Sequence, residues 1–114
     1  MVDKVIDYDE EDLLLMDNPE KNFFKKIRQS THLSRIILYC GLKFIKEEIP
    51  FVTIPDVSKK LNINRDYVFQ LFEVLERNGI LERRKVQNEK RIRYILKDEN
   101  KFKKSIEIIR KDAT

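Results

Sequence analysis

The sequence contains few of the residues from which disulfides, metal sites and active sites are built. Its 114 residues include one cysteine, Cys40, one histidine, His32, and no tryptophan. A single cysteine excludes an intrachain disulfide, and this pair excludes a zinc site made of several Cys and His ligands. The same scarcity leaves no Cys–His or Ser–His–Asp set, so we expect neither an enzyme nor a bound metal or cofactor.

Long apolar runs and glycine are also scarce. No run approaches the roughly 20 apolar residues of a membrane helix, and the acidic N-terminus is unlike a secretory signal. We therefore expect a cytoplasmic protein with no membrane partner. With 41% hydrophobic residues, 39% charged residues and two glycines, the composition indicates one compact, helix-rich domain. Cys40, within "RIILYCGLKFI", is expected to be buried.

The charge is distributed unevenly along the chain. Residues 1–20 hold eight acidic residues and one lysine, a net charge of −7, whereas the remaining 94 residues carry +11. A basic body of this size favours a polyanion as partner. Residues 1–17 are expected to form an acidic, flexible tail. This tail could have no role beyond keeping the protein soluble, it could dock on a protein partner, or it could shield the basic body as a mimic of DNA.

Apolar spacing predicts two helices after this tail. Asn18 could cap the first helix, with Pro19 at its first position. Thr31 or Ser34 could start the second helix, and Pro50 should stop it. The second helix has the wide apolar stripe of a core helix, formed by Leu33, Ile36, Ile37, Cys40, Phe44 and Ile45. The β-branched "FVTI" that follows predicts one short strand at a sheet edge.

The second half of the chain predicts two short helices, a hairpin and a last helix. Pro55 and Asp56 open the first helix, and Asn64 caps the second, which ends at Gly79. Val57, Leu61, Val68, Phe72 and Leu75 are expected to face the core. After Gly79 the pattern alternates through a polar tip at 87–90 and returns through Ile92, Tyr94 and Leu96. Asp98 could cap a C-terminal helix over residues 98–112.

The stretch "VSKKLNINRDYVFQLFEVLERNGILERRK" contains an "LExxGIL" junction in which Leu75, Glu76, Gly79, Ile80 and Leu81 stand at the defined positions. This stretch resembles the helix-turn-helix and first wing strand of MarR-like and ArsR-like regulators, and the resemblance extends over about residues 33–96. It implies a mainly α fold with a small antiparallel β-hairpin (α+β). The expected domain, residues 18–114, is a winged helix-turn-helix with a core at 31–96 and flanking helices.

The resemblance also implies how the chain would contact double-stranded DNA. Arg65 and Gln70 would read bases in the major groove, while Asn64 and Tyr67 would donate to phosphates. Lys59 and Lys60, on the preceding helix, would attract the DNA backbone. Phe69 could touch a thymine methyl group or a protein partner. The outward residues Asp66, Tyr67, Phe69 and Glu73 depart from the small hydroxyl and basic residues that are usual in this superfamily.

The predicted hairpin is strongly basic. Between positions 83 and 93 it carries Arg83, Arg84, Lys85, Lys90, Arg91 and Arg93 against Glu89 alone, a local charge of +5. We expect these charges to gather around the tip and one face, where phosphates would relieve their mutual repulsion. The hairpin is therefore predicted to be a wing at the minor groove, rather than an edge that charge merely keeps soluble.

These expectations favour a sequence-specific transcription regulator, a repressor that occupies its operator. The predicted assembly is a homodimer whose interface comprises Phe23, Phe24, Ile27, Phe102, Ile106 and Ile109. Two alternatives stay open from the sequence. One is a winged-helix interaction module of a transcription or chromosome-segregation assembly, which would bind protein through Tyr67 and Phe69. The other is a nonspecific architectural DNA binder.

Overall fold

A computed structural model describes residues 19–113, in which five α-helices enclose a core beside a two-stranded antiparallel sheet. The elements are α1 (Pro19–Gln29), α2 (Thr31–Gly41), α3 (Ile54–Leu61), α4 (Arg65–Arg77), β1 (Leu81–Lys85), β2 (Ile92–Leu96) and α5 (Glu99–Ala113). A π-helical turn, Leu42–Lys46, continues α2. The predicted cap Asn18 and the acidic tail of residues 1–17 lie outside the described residues, so their predicted roles stay predictions.

Helix α2 begins at Thr31, one of the two residues expected to start it, and Ser30 is its cap. The Ser30 hydroxyl oxygen accepts a hydrogen bond from the Leu33 amide at 3.2 Å. Ser34 lies inside the helix, where its hydroxyl donates to the Ile27 carbonyl at 3.0 Å. Ser34 therefore fixes the corner between α1 and α2 instead of starting a helix.

The core stripe of α2 matches the prediction except at its end. Leu33, Ile36, Ile37 and Cys40 are buried, and burial raises the pKa of the Cys40 thiol to about 12. Ile45, expected inside, is 37% exposed. Its displacement follows from the π turn, because hydrogen bonds closed over five residues rotate the following side chains away from α-helical spacing.

The segment between α2 and α3 forms less β-structure than expected. Only Val52 pairs, and it exchanges two backbone hydrogen bonds of 2.9 Å with Tyr94 of β2. The chain cannot extend this pairing, because Thr53 already caps α3 by accepting from the Asp56 amide. Pro55 occupies the first turn of α3 as predicted.

The turn between α3 and α4 is fixed by polar contacts. Asn62 ends α3 with φ of 57°, a left-handed conformation that asparagine tolerates. Asn64 caps α4 as predicted, and its side-chain oxygen accepts from the Asp66 amide at 2.8 Å. Across the turn, the Ser58 hydroxyl donates to the Ile63 carbonyl at 2.6 Å, and the Arg35 guanidinium donates to the Leu61 carbonyl at 2.7 Å. These contacts set the angle between the two helices.

The junction after α4 has the predicted geometry. Gly79 has φ of +73°, and the Ile80 amide donates to the Leu75 carbonyl at 3.0 Å. Such a left-handed residue after a helix favours glycine. Because no atom lies within 4 Å of a Cβ placed there, only the backbone conformation calls for glycine at this position. Ile80 and Leu81 then return to the core, where both are buried.

Helix α5 covers α1 and α2, and Asp98 caps it by accepting from the Lys101 amide at 3.0 Å. Phe102 is fully buried, and Phe23 and Ile27 of α1 are also buried. The prediction that these three side chains form a dimer interface is wrong, because they are buried in the core of their own chain. Phe24, Ile106 and Ile109 are half-buried. In the described part of the chain, every helix is too short or too polar to cross a membrane.

Candidate nucleic-acid interface

Helix α4 turns one face to the core and presents a polar face to solvent. Val68, Leu71, Phe72 and Leu75 are buried, whereas Asn64 at the cap is exposed together with Arg65, Asp66, Tyr67, Phe69 and Gln70. All five residues predicted to contact DNA from this helix and its cap are therefore accessible. Glu73, which was also expected outside, is half-buried.

The first turn of α4 borders an open groove of about 630 Å³. The groove is lined by residues of α3, of the turn and of α4, and by Arg91 from the hairpin. It brings together Lys59, Arg65 and Arg91, three predicted DNA contacts from three separate elements. Lys60 lines a different depression, beside Tyr39. The structure thus places Lys59 in the groove and Lys60 outside it.

The hairpin register divides the basic residues between two faces. Pairing of Arg84 with Arg93 and of Arg83 with Tyr94 puts Arg84 and Arg93 on one face, and Arg83 and Lys85 on the other. The prediction that the charges gather on one face is therefore wrong, because alternate residues of a strand point in opposite directions. Lys90 lies at the tip, as predicted, and Arg91 lies between the tip and β2.

Three of the six basic residues of the hairpin have carboxylate partners. Arg83 pairs with Glu76 of α4 at 3.5 Å, Arg84 with Glu82, and Arg93 with Glu89 at 2.8 Å. No ion pair is found for Lys85, Lys90 or Arg91 among the described residues. The charges of these three side chains are therefore the ones in the hairpin that carboxylates of the described residues neutralise least.

The helix and the hairpin meet at an aromatic contact. The rings of Phe72 in α4 and Tyr94 in β2 lie 4.7 Å apart, nearly perpendicular to each other. Burial raises the pKa of the Tyr94 phenol, although the nearby Arg83 guanidinium acts in the opposite direction. The contact fixes how far β2 stands from α4.

Sequence reasoning missed two residues that shape this surface. Phe51 lies beneath Arg93, with the guanidinium carbon 4.2 Å from the ring centroid. His32 of α2 contacts Tyr67 edge to face at 5.3 Å between ring centroids. Local spacing contains no signal for either contact, because each joins segments that are far apart in the chain.

No protein-family model and no curated protein matches the sequence. Solved structures do match. Reduced HlyU from Vibrio cholerae N16961 superposes with a TM-score of 0.59 at 15% identity, over 85% of this chain and 93% of that chain. The MarR family transcription regulator SP03579 superposes with a TM-score of 0.55 at 25% identity, over 87% of this chain and 63% of that chain. This chain folds as a MarR-like winged helix-turn-helix domain.

Within the winged helix-turn-helix fold, α3 and α4 occupy the positions of the helix-turn-helix, α4 has the position of the recognition helix, and the β1–β2 hairpin has the position of the wing. MepR, a transcription regulator of the Staphylococcus aureus multidrug efflux pump MepA, superposes with a TM-score of 0.51 at 18% identity, over 93% of this chain and 75% of that chain. The predicted fold class is confirmed. SP03579 and MepR are both transcription regulators.

Proposed function

We propose that this protein binds double-stranded DNA at defined sequences and regulates transcription. The observation that carries the proposal is the convergence of Lys59, Arg65 and Arg91 on one groove beside the first turn of α4. Lys59 and Arg91 suit a phosphate backbone that passes between helix and wing, and Arg65 lies beside them at the first turn of α4, where it can reach the bases. The MarR-like fold supports the same orientation of α4 in the major groove.

In this proposal the exposed side chains of α4 divide between bases and phosphates. Arg65 pairs with guanine and Gln70 with adenine, because each side chain can form two hydrogen bonds with that base. The Asn64 side-chain oxygen already caps α4, which leaves its amide group to donate to a phosphate. Tyr67 and Lys59 provide further phosphate contacts, and Phe69 contacts a thymine methyl group.

The wing supplies affinity that does not depend on sequence. Lys85, Lys90 and Arg91 lack an internal ion pair in the described residues, so an approaching phosphate need not displace a carboxylate from them. Arg83 and Arg84, which do have partners, add to the positive potential around them. Release of counterions from DNA would favour this association at low salt.

The proposed assembly is a homodimer that acts as a repressor by occupying its operator. An exposed apolar face supports the dimer. Leu38 is 42% exposed and Leu42 is 40% exposed, and with Ile45 and Ile106 they line a groove of about 340 Å³. The proposed interface is therefore this face of α2, the π turn and α5. Leu42→Lys should convert a dimer to a monomer in sedimentation, with Phe69→Lys, at a similarly exposed apolar position on α4, as the control.

Selection of bound duplexes from a random pool tests the proposal. A regulator should enrich a defined and symmetric sequence, bind it about a thousandfold or more tightly than random DNA, and lose affinity steeply as salt rises. Equal affinity for all sequences with the same salt dependence would indicate an architectural DNA binder instead. Absence of salt-dependent binding would reject the DNA-binding proposal altogether.

One observation favours a second candidate, an interaction module. Tyr67 and Phe69 are 38% and 37% exposed on α4, and exposed aromatic side chains are common at protein interfaces. A module of this kind would lose its partner on Tyr67→Ala or Phe69→Ala without any change in DNA affinity. The same two variants should weaken DNA binding if the regulator proposal is correct.

A further inference from the structure

The tip of the wing has little to hold it in place. Residues 87–91 are exposed, and Val86 is half-buried. Within the loop, Asn88 adopts a left-handed conformation with φ of 71°, and the Glu89 amide donates to the Val86 carbonyl at 3.0 Å. This turn shapes the loop but does not attach it to the rest of the domain. The direction of Lys90 and Arg91 therefore depends on contacts made outside the turn.

Arg93 provides such a contact, because it binds the loop on one side and the segment before α3 on the other. Its guanidinium donates to the Glu89 carboxylate at 2.8 Å, and its guanidinium carbon lies 4.2 Å from the centroid of the Phe51 ring. Glu89 belongs to the loop, Arg93 to β2, and Phe51 to the segment before α3. Arg93 therefore connects the loop to a part of the chain that is anchored to β2 through Val52.

The position of Arg93 makes this arrangement specific. Arg84 stands directly opposite Arg93 in the sheet, and two like charges in that position repel each other. Each arginine has its own carboxylate, Glu82 for Arg84 and Glu89 for Arg93. Arg93 alone of the two also lies over an aromatic ring. A planar guanidinium can stack and donate at the same time, which a lysine ammonium cannot do equally well.

We propose that Arg93 is a positioning residue, which stacks on Phe51 and pairs with Glu89 to hold the wing loop so that Lys90 and Arg91 face the DNA. This revises the expectation that Arg93 contacts phosphate. The inference rests on the proposed DNA-binding function of the wing. A depression of about 390 Å³ lies between the loop and the start of α3, lined by Phe51, Arg93 and loop residues. The loop can move into this space once the contact is lost.

Arg93→Lys tests the proposal because it keeps the charge and removes the planar group. Phe51→Leu removes the ring and keeps an apolar side chain. Both variants should increase the opening of the loop about 2- to 30-fold, which is the range expected for a lost cation–π contact. The readout is the conformational exchange of the backbone amides of residues 87–91, measured by NMR relaxation dispersion on the free protein. Arg84→Lys, on the same face of the neighbouring strand, is the matched control and should leave the exchange unchanged.

The DNA readout separates a positioning residue from a phosphate contact. Arg93→Lys should lower the salt dependence of DNA binding by up to about two units, because Lys90 and Arg91 lose their places although no charge has been removed. The double variant with Phe51→Leu should be no worse than either single variant. Unchanged exchange in both single variants would overturn the proposal, as would an unchanged salt dependence in Arg93→Lys.

The two readouts keep this inference distinct from the proposed function. If the unmodified protein shows no salt-dependent binding to DNA, the regulator proposal fails, and the conformational exchange of the loop alone decides whether Arg93 positions it. If the protein binds DNA but Arg93→Lys leaves the loop unchanged, only the role of Arg93 is rejected. A thermal melt of each variant confirms that the domain is folded before either readout is taken.

Discussion

The recognition helix and the wing differ sharply in charge although they pack against each other. Helix α4 contains three acidic residues and two arginines, a net charge of −1, whereas residues 83–93 carry +5. Electrostatic attraction alone would not favour Asp66 and Glu73 on the helix that is proposed to enter the major groove. The contrast suggests a division in which the wing provides most of the affinity and the helix provides the selection of sequence.

The two regions share a buried aromatic contact, that between Phe72 and Tyr94. Phe72→Ala should lower the free energy of unfolding by about 3–5 kcal/mol, because it leaves a cavity where helix and wing meet. Chemical denaturation measures this loss. Phe69→Ala, on the exposed face of the same helix, is the control and should cost far less. Similar decreases in the free energy of unfolding in the two variants would mean that the Phe72–Tyr94 contact does not stabilise the packing of α4 against the hairpin.

The division of labour is tested most directly on the helix. Arg65→Ala should weaken binding to the selected duplex by about 1–3 kcal/mol and relax the choice of base, because a bidentate contact with guanine is lost. Fluorescence anisotropy with selected and scrambled duplexes measures both effects. Arg77→Ala, at the other end of α4, should change both affinities little. If Arg65→Ala weakened binding equally on every DNA sequence, Arg65 would be assigned to a contact with the DNA phosphate backbone instead.

The corner between the two regions can be changed without touching either surface. Gly79→Ala should cost about 1–2 kcal/mol of stability, because a side chain makes the left-handed conformation unfavourable even though space is available. Gly79→Asn should cost less, since asparagine tolerates that conformation better. Thermal and urea unfolding of the two variants gives the comparison, and an alanine variant as stable as the asparagine variant would contradict it.

The smallest expected effect concerns the wing. Arg91→Ala should reduce the salt dependence of binding by about one unit and weaken selected and scrambled duplexes alike, because one phosphate contact is lost without loss of base reading. Binding isotherms at several salt concentrations provide the slope. Lys103→Ala on α5, where Lys103 pairs with Glu99 at 2.9 Å, serves as the control. A loss confined to the selected duplex would place Arg91 among the base readers.

Much of the fold could be predicted because its determinants are local. The buried positions of α4, the cap at Asn64 and the left-handed Gly79 each follow from residues within one or two turns of each other. The same reasoning failed where a distant part of the chain intervened. The expected strand at 51–54 became a single bridge at Val52, and the expected dimer contacts Phe23, Ile27 and Phe102 became core.

The sequence by itself determined the order of the elements, the core stripe of each helix and the concentration of positive charge in the hairpin. Only the tertiary structure decided which of those charges have partners, since Arg83 meets Glu76 of another element and Arg93 meets Phe51 more than forty residues earlier in the chain. The reason is physical. Helix and strand periodicity act over a few residues, whereas the partner of a charged side chain depends on the register and packing of segments that are distant in sequence.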